Sequence, residues 1–238
     1  GSGDDVIDAG RGHGDIDGGE GFDTLLFDLG DQFSPLRLDV WTAQGGYEYF
    51  SGSSASFEAL RTALVGATSF AVRDYGFHSP VNVAYRNVEA VNWTAGAGDD
   101  LLVYQGGARY DGGGGSDTFY GDFSGTAQAV NWDVDAQSFS QVDGVTVANI
   151  ERLLLATGSG NDLIRAVSGG LSHDVGTGAG NDTVELGTGD DYVDSGAGDD
   201  TIKTGAGGDT VYAGSGDDVI DAGRGHGDID GGEGFDTL

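Results

Sequence analysis

Between residues 177 and 221 one apolar residue recurs every nine positions: Val184, Val193, Ile202, Val211 and Ile220. Each is the centre of a short run with polar flanks, such as Thr183-Val184-Glu185. That pattern predicts a three-residue strand whose middle side chain points inward. The residues between the runs are polar and rich in Gly, which turns tightly because it reaches φ > 0 without a Cβ penalty. Blocks 177–185, 186–194, 195–203, 204–212 and 213–221 follow one another without a gap. Each carries Gly at positions two and four and Asp at position six, as Asp182, Asp191, Asp200, Asp209 and Asp218. Block 222–230 keeps its glycines and Ile229 but has Gly227 at position six, and 231–238 is regular again with Asp236. The same phase fits Asp5, Asp23, Asp100, Asp117 and Asp162. Turn formation alone does not demand Asp at one fixed phase.

The nonapeptide G-G-x-G-x-D-x-U-x, in seven blocks of one frame of which six carry the Asp, resembles the RTX, or haemolysin-type calcium-binding, family. The resemblance implies an all-β fold, a right-handed parallel β-roll (β-solenoid) stapled by Ca²⁺, with two nonapeptides per coil. Residues 18 apart then stack. Asp182, Asp200, Asp218 and Asp236 line one edge, Asp191 and Asp209 the other, and Glu185, Lys203 and Asp221 form an outer ladder. A column of carboxylates repels itself without a cation, and hard oxygen donors suit Ca²⁺. In the resembled family each ion takes the Asp of two stacked turns. It adds carbonyls from positions one and three of one turn and two and four of the other. The implied set is Thr177, Ala179 and Asp182 with Gly196, Gly198 and Asp200, and Leu186, Thr188 and Asp191 with Gly205, Gly207 and Asp209. It continues as Ser195 and Ala197 with Gly214 and Gly216, and as Ala213 and Ser215 with Gly232 and Gly234. At Gly227 a missing or altered site is expected. The position-five residues Asp190, Asp199 and Asp217 read as solvated surface.

The nine-residue pattern predicts β-roll coils over 1–29, 95–120 and 157–238, interrupted by β-rich excursions at 30–94 and 121–156. Both excursions return through similar segments, "NVEAVNWTAGAGDDLL" from Asn87 and "NIERLLLATGSGNDLI" from Asn149. In the first, Phe57, Leu60 and Leu64 are spaced as on a helix, with Ser56 as cap and Gly66 beyond the end, which predicts a short helix near 57–64. Its aromatics Trp41, Tyr47, Tyr49, Phe50 and Tyr75 read as packed core, with a glycan or cell-surface ligand as the other reading. In the second, Val130, Trp132 and Val134 alternate onto one face, and Asp143-Gly144 is a hairpin-turn signal.

Residues 1–25 and 214–238 are identical, so the sequence repeats at an offset of 213, from Gly1 to Gly214. The chain reads as one period of a tandem array plus the first coils of the next, with neighbouring repeats as partners. It lacks an initial Met and a signal peptide, which reads as a piece of something longer.

Charge sharpens this picture. Forty Asp+Glu against ten Lys+Arg leave a net charge of −30, which excludes nucleic acid as an expected partner, argues against an anionic membrane surface and calls for cations. Eleven Asp in the ligand phase, with as many Ca²⁺, would offset up to 22 of those charges. There is no Cys to staple an extracellular chain and no apolar run long enough to span a membrane. His13, His78, His173 and His226 are scattered, and H-E-x-x-H, G-x-S-x-G and phosphate-loop motifs are absent, so no enzyme is expected. Positions three and five carry no uniform Thr/Asn row, which argues against ice binding. The expected function is a calcium-binding structural module of a long, type I-secreted extracellular protein: an adhesin stalk, matrix fibre or surface layer. The alternative is a secretion and folding module attached to a secreted enzyme or toxin.

Overall fold

A computed structural model describes residues 1–10, 13–30, 34–42, 45–74, 82–136, 138–139 and 144–238. Among these residues the fold is nearly all β, with one helix. No described helix is long and apolar enough to cross a membrane. The chain divides into two units, Gly1–Tyr120 with Gly144–Ile150, and Gly121–Asp143 with Glu151–Leu238.

In the second unit successive strands alternate between two parallel sheets. One holds Asn131–Asp133, Leu163–Ala166, Thr183–Leu186, Thr201–Lys203 and Val219–Asp221. The other holds Arg152–Ala156, Asp174–Gly176, Tyr192–Asp194, Thr210–Tyr212 and Asp228–Asp230. Register follows the nine-residue period taken twice: Val184 pairs Ile202 and Ile202 pairs Ile220, while Val193 pairs Val211 and Val211 pairs Ile229. Val175, Val184, Val193, Ile202, Val211 and Ile220 are all at most 4 % exposed, so the one apolar residue of each block is the core. Three-residue strands bury little each, and stability comes from stacking neighbours.

The outer ladder differs from expectation. Glu185, Lys203 and Asp221 are in register, but the Glu185 carboxylate accepts from Arg165 at 3.0 Å, which also reaches Asp133 at 3.2 Å. Arginine holds two carboxylates with one fork, which a lysine cannot match. Trp132 pairs Phe139 and Asp133 pairs Ser138 antiparallel, so the chain reverses between Asp133 and Ser138. Asp133 Oδ1 accepts the Ala136 N–H there, closing the turn locally. Asp143 lies outside the described residues. Val130, Trp132 and Val134 share a buried face.

In the first unit, Val6–Asp8, Thr24–Asp28, Ala90–Thr94, Arg109–Asp111 and Thr146–Ala148 form a parallel sheet. A second sheet orders His13–Asp17, Asn82–Arg86, Ala67–Asp74, Leu36–Thr42 and Tyr47–Ser51, antiparallel after its first pair. The helix is Phe57–Val65, where Ser56 accepts the Ala59 N–H and Gly66 donates to the Leu64 carbonyl. Phe57, Leu60 and Ala63 are buried and Leu64 is half-buried, and Phe57 stacks on Tyr120 at 5.0 Å.

Asn87 and Asn149, at matching points of the two return segments, both adopt φ near +50° (52° and 54°). Each side-chain amide donates to a carboxylate at 2.7 Å, Asn87 to Asp17 and Asn149 to Asp111. Asn tolerates the left-handed conformation and ties down the corner, which gives the doubled Asn a physical reason.

Candidate metal centre

The position-six carboxylates split their two oxygens between different tasks. Oδ1 accepts a backbone N–H from the equivalent residue of the preceding turn. Along one edge, Asp162 donates to Asp182, Asp182 to Asp200 and Asp200 to Asp218, all at 2.8 Å, and Asp218 donates to Asp236 at 3.1 Å. Along the other, His173 donates to Asp191 and Asp191 to Asp209 at 2.8 and 3.0 Å. In the first unit Asp5 donates to Asp23, and Asp100 to buried Asp117. Oδ2 of Asp23, Asp191, Asp209 and Asp218 is buried and accepts no hydrogen bond, and Oδ2 of Asp182 and Asp200 is buried beside the Thr177 and Ser195 hydroxyls, which donate to backbone carbonyls instead. A buried ionised oxygen without a partner is costly, and a bound cation is the usual remedy.

Position five builds a second staple, running the other way. Asn181 accepts the Asp199 N–H at 3.1 Å, Asp199 that of Asp217 at 2.9 Å, and Asp190 that of Gly208 at 2.7 Å. These side chains are exposed, but each also ties one turn to the next, which reading them as merely solvated overlooked.

The glycines make this stacking possible. A Cβ on Gly196, Gly198, Gly214 or Gly216 would land on the carbonyl oxygen of the glycine 18 residues earlier, and each of the four has φ between +90° and +140°. Carbonyls of the implied set are thereby drawn into turn-to-turn contacts. Gly196 accepts from Ser215 N–H and Gly214 from Glu233 N–H, both at 2.8 Å, and Gly205 and Gly207 accept from Arg224 and His226. Ala197 and Ser215 accept from Gly180 and Gly198 at 2.8 Å. Thr177, Ser195 and Ala213 accept hydroxyls of Thr157, Thr177 and Ser195 at 3.1, 3.2 and 2.8 Å. A carbonyl has two lone pairs, so each retains one for a ligand. Ala179, Leu186, Thr188, Gly198, Gly216, Gly232 and Gly234 lie in the same turns.

Some slots differ. Asp100 has both oxygens engaged, by the N–H groups of Leu36 and Gly96, and Asp162 by the Val130 N–H and the Thr157 hydroxyl. These two carboxylates close the turns where excursions rejoin. Glu89 stands in for an Asp, its Oε2 accepting the Asp23 N–H at 2.8 Å. His173 occupies the slot preceding Asp191, and its Nδ1 accepts the Leu153 N–H at 3.2 Å. It is 3 % exposed, and burial pushes its pKa down to about 4, so it is a neutral staple. Asp5 and Asp236 are exposed. At Gly227 there is no carboxylate, while the backbone ladder continues unchanged, with the Asp228 N–H donating to the Asp209 carbonyl as Val219 does to Asp200. Exposed His226 and Gly227 line a cleft of about 160 Å³ beside Asp209. His78 and Tyr75 lie outside the described residues.

The aromatic excursion is only partly core. Phe50 is buried, but Tyr47 and Tyr49 are 46 % and 58 % exposed, because they share the outward face of the last strand of their sheet. Trp41 is half-buried and lines a cleft of about 310 Å³ with Asp15, Ser69 and Arg86.

Burial pushes the Asp191 carboxyl up to about 7 and that of Asp200 to about 6, and it raises Asp162, Asp182 and Asp218 as well. A group with a raised folded-state pKa stabilises the fold below its unfolded value and loses that contribution as pH rises through the folded value. His173, with a depressed value, acts oppositely, losing its contribution as pH falls towards about 4. Asp17 and Asp135, held below the usual carboxylate range by hydrogen bonds from Asn87 and Ser168, also act oppositely, but lose their contribution mostly below pH ~4.5, so the raised carboxyls dominate above it. In metal-free buffer the folded fraction, read by circular dichroism, should therefore rise as pH falls from ~7 to ~4.5. A folded fraction that is flat or falling over that window would contradict the buried-carboxylate picture.

The RTX calcium-binding nonapeptide repeat model matches residues 1–25, 177–202 and 203–238, in four copies. No curated protein matches the chain.

Proposed function

We propose, for a chain whose nonapeptide blocks belong to the RTX calcium-binding repeat family, that it is a Ca²⁺-stapled right-handed β-roll serving as a structural module of a long extracellular repetitive protein. The observation that carries this is the column of buried Oδ2 atoms lacking hydrogen-bond partners. The donor set fits the ion. It is all oxygen, and among the described residues no three His, Cys, Asp or Glu side chains converge into a conventional cluster. Stacked carboxylates with backbone carbonyls are then the ligands: Asp182 with Asp200, Asp200 with Asp218, and Asp191 with Asp209. When bound, Ca²⁺ supplies the positive charge that lets these carboxylates stack ionised. Where Ca²⁺ is scarce, a chain of net charge −30 repels itself. At the millimolar Ca²⁺ of extracellular fluid, sites with Kd of ~10⁻⁴–10⁻³ M fill and the coils close. That switch suits a chain secreted unfolded. The same switch would serve a secretion module on an enzyme or toxin. The 213-residue offset between identical ends, Gly1 to Gly214, favours the repetitive structural protein.

Calorimetry tests the site assignment. Several Ca²⁺ should bind per chain, with Mg²⁺ a poor substitute. Asp200→Asn keeps an oxygen for the Asp182 N–H but removes charge from both sites that Asp200 joins. It should lower the stoichiometry or weaken binding at least ~10-fold. Unchanged Ca²⁺ binding by this variant would refute the assignment.

A further inference from the structure

The two copies of the 25-residue segment have the same sequence and complementary neighbours. In the second copy, Val219–Asp221 pairs upstream with Thr201–Lys203, and Asp228–Asp230 pairs upstream with Thr210–Tyr212. In the first copy, Val6–Asp8 pairs downstream with Thr24–Asp28, and His13–Asp17 pairs downstream with Asn82–Arg86. All four of these strands end the order of their sheets, and beyond Val219–Asp221 there is a single bridge, from Val219 to Thr237. An edge strand offers unpaired N–H and C=O groups to another chain.

The registers are mutually compatible. Ile220 pairs Ile202, and its equivalent Ile7 pairs Leu25. Ile229 pairs Val211, and its equivalent Ile16 pairs Tyr85. The hydrogen bonds leave on opposite sides. Val219 donates upstream to the Asp200 carbonyl, and Ile220 donates downstream to Thr237. Thr237 donates to the Asp218 carbonyl at 2.8 Å, as its equivalent Thr24 does to Asp5. In the other strand, Asp228 donates upstream to Asp209, and Gly18, the equivalent of Gly231, donates downstream to Arg86. One strand can thus hold both sets of partners at once.

Burial is complementary too. Leu25 is fully buried and its copy Leu238 is 84 % exposed, whereas Asp218 is buried and its copy Asp5 is exposed. Ile220 is buried and Ile7 only half-buried. Phe22 and Phe235 are exposed in both copies, at 54 % and 89 %.

Resting on the repeat-module reading above, we infer that the two copies are the same pair of coils in a tandem array. Both sheets then run from one period into the next without a linker, and the partner for each open edge is the adjoining copy of this chain. The contact is head-to-tail and does not close on itself, so it propagates. Each period adds its stability to its neighbour's through a nearest-neighbour interface.

Two tandem proteins test this. In the first, residues 1–213 run directly into a complete chain, so the periods share one copy of the segment. In the second, two complete chains are joined by a flexible Gly/Ser linker. The shared-segment tandem should melt in one transition, at least ~3 °C above the linked tandem, which should melt like the single chain. Identical melting of the two tandems would overturn the continuous junction. The comparison holds in whichever buffer the chains are folded. The change in each protein's melting on going from Ca²⁺ to EDTA reports the calcium reading separately.

Discussion

Replacing Gly198 by Ala should cost more than ~3 kcal/mol of stability, a large loss for a single methyl group. Two independent effects combine there. The backbone has φ +134°, a region that L side chains rarely adopt, and the new Cβ would land on the Gly180 carbonyl oxygen. That carbonyl sits in the turn stacked directly beneath, so relief requires the turns to separate. Separation would strain the hydrogen bonds from Gly180 to Ala197 and from Ala197 to Gly178, both 2.8 Å. The Asp182–Asp200 pair, joined at 2.8 Å, would be disturbed with them. Gly125→Ala is the control, since a Cβ there meets nothing within 4 Å. It should shift stability by no more than ~0.5 kcal/mol. Thermal melts of both variants in Ca²⁺ make the comparison, and equal melting temperatures would show that the turns are not packed as described.

Much of the spine was legible in the sequence because one physical unit recurs. A single inward residue per nine, such as Val193 or Ile202, fixes strand, face and register together. The helix was legible for similar reasons: Ser56 and Gly66 bracket Phe57 and Leu60, which are buried. The substitutions within the staple were not legible. His173 and Glu89 take Asp positions because what the slot needs is an acceptor for one N–H, and an imidazole nitrogen or a longer carboxylate supplies it. Sequence spacing around His173 conceals this, since 20 residues rather than 18 separate it from Leu153. The division of labour between Oδ1 and Oδ2 was also hidden, because composition counts a carboxylate once. The reversal after Asp133 was not legible, because it rests on one side chain capping the Ala136 N–H rather than on a Gly-containing turn signal. Tyr47 and Tyr49 were read as core from their clustering, while strand alternation turns them outward.

Removing Ca²⁺ should have the largest effect of all. A site with Ca²⁺ at ~10 times its Kd contributes ~1.4 kcal/mol, and five such sites together reach ~7 kcal/mol, within the ~5–15 kcal/mol that holds a typical domain folded. The loss also exposes the full cost of burying the Oδ2 atoms of Asp182, Asp191, Asp200, Asp209 and Asp218 as anions. The most direct measurement is the far-ultraviolet circular dichroism of the chain at neutral pH, titrated with Ca²⁺ from an EDTA-treated start. The expected result is a largely unordered spectrum in EDTA that converts cooperatively to a β spectrum as Ca²⁺ reaches ~10⁻⁴–10⁻³ M. A chain that shows the same β spectrum and the same melting temperature in EDTA as in Ca²⁺ would contradict the calcium-stapled account.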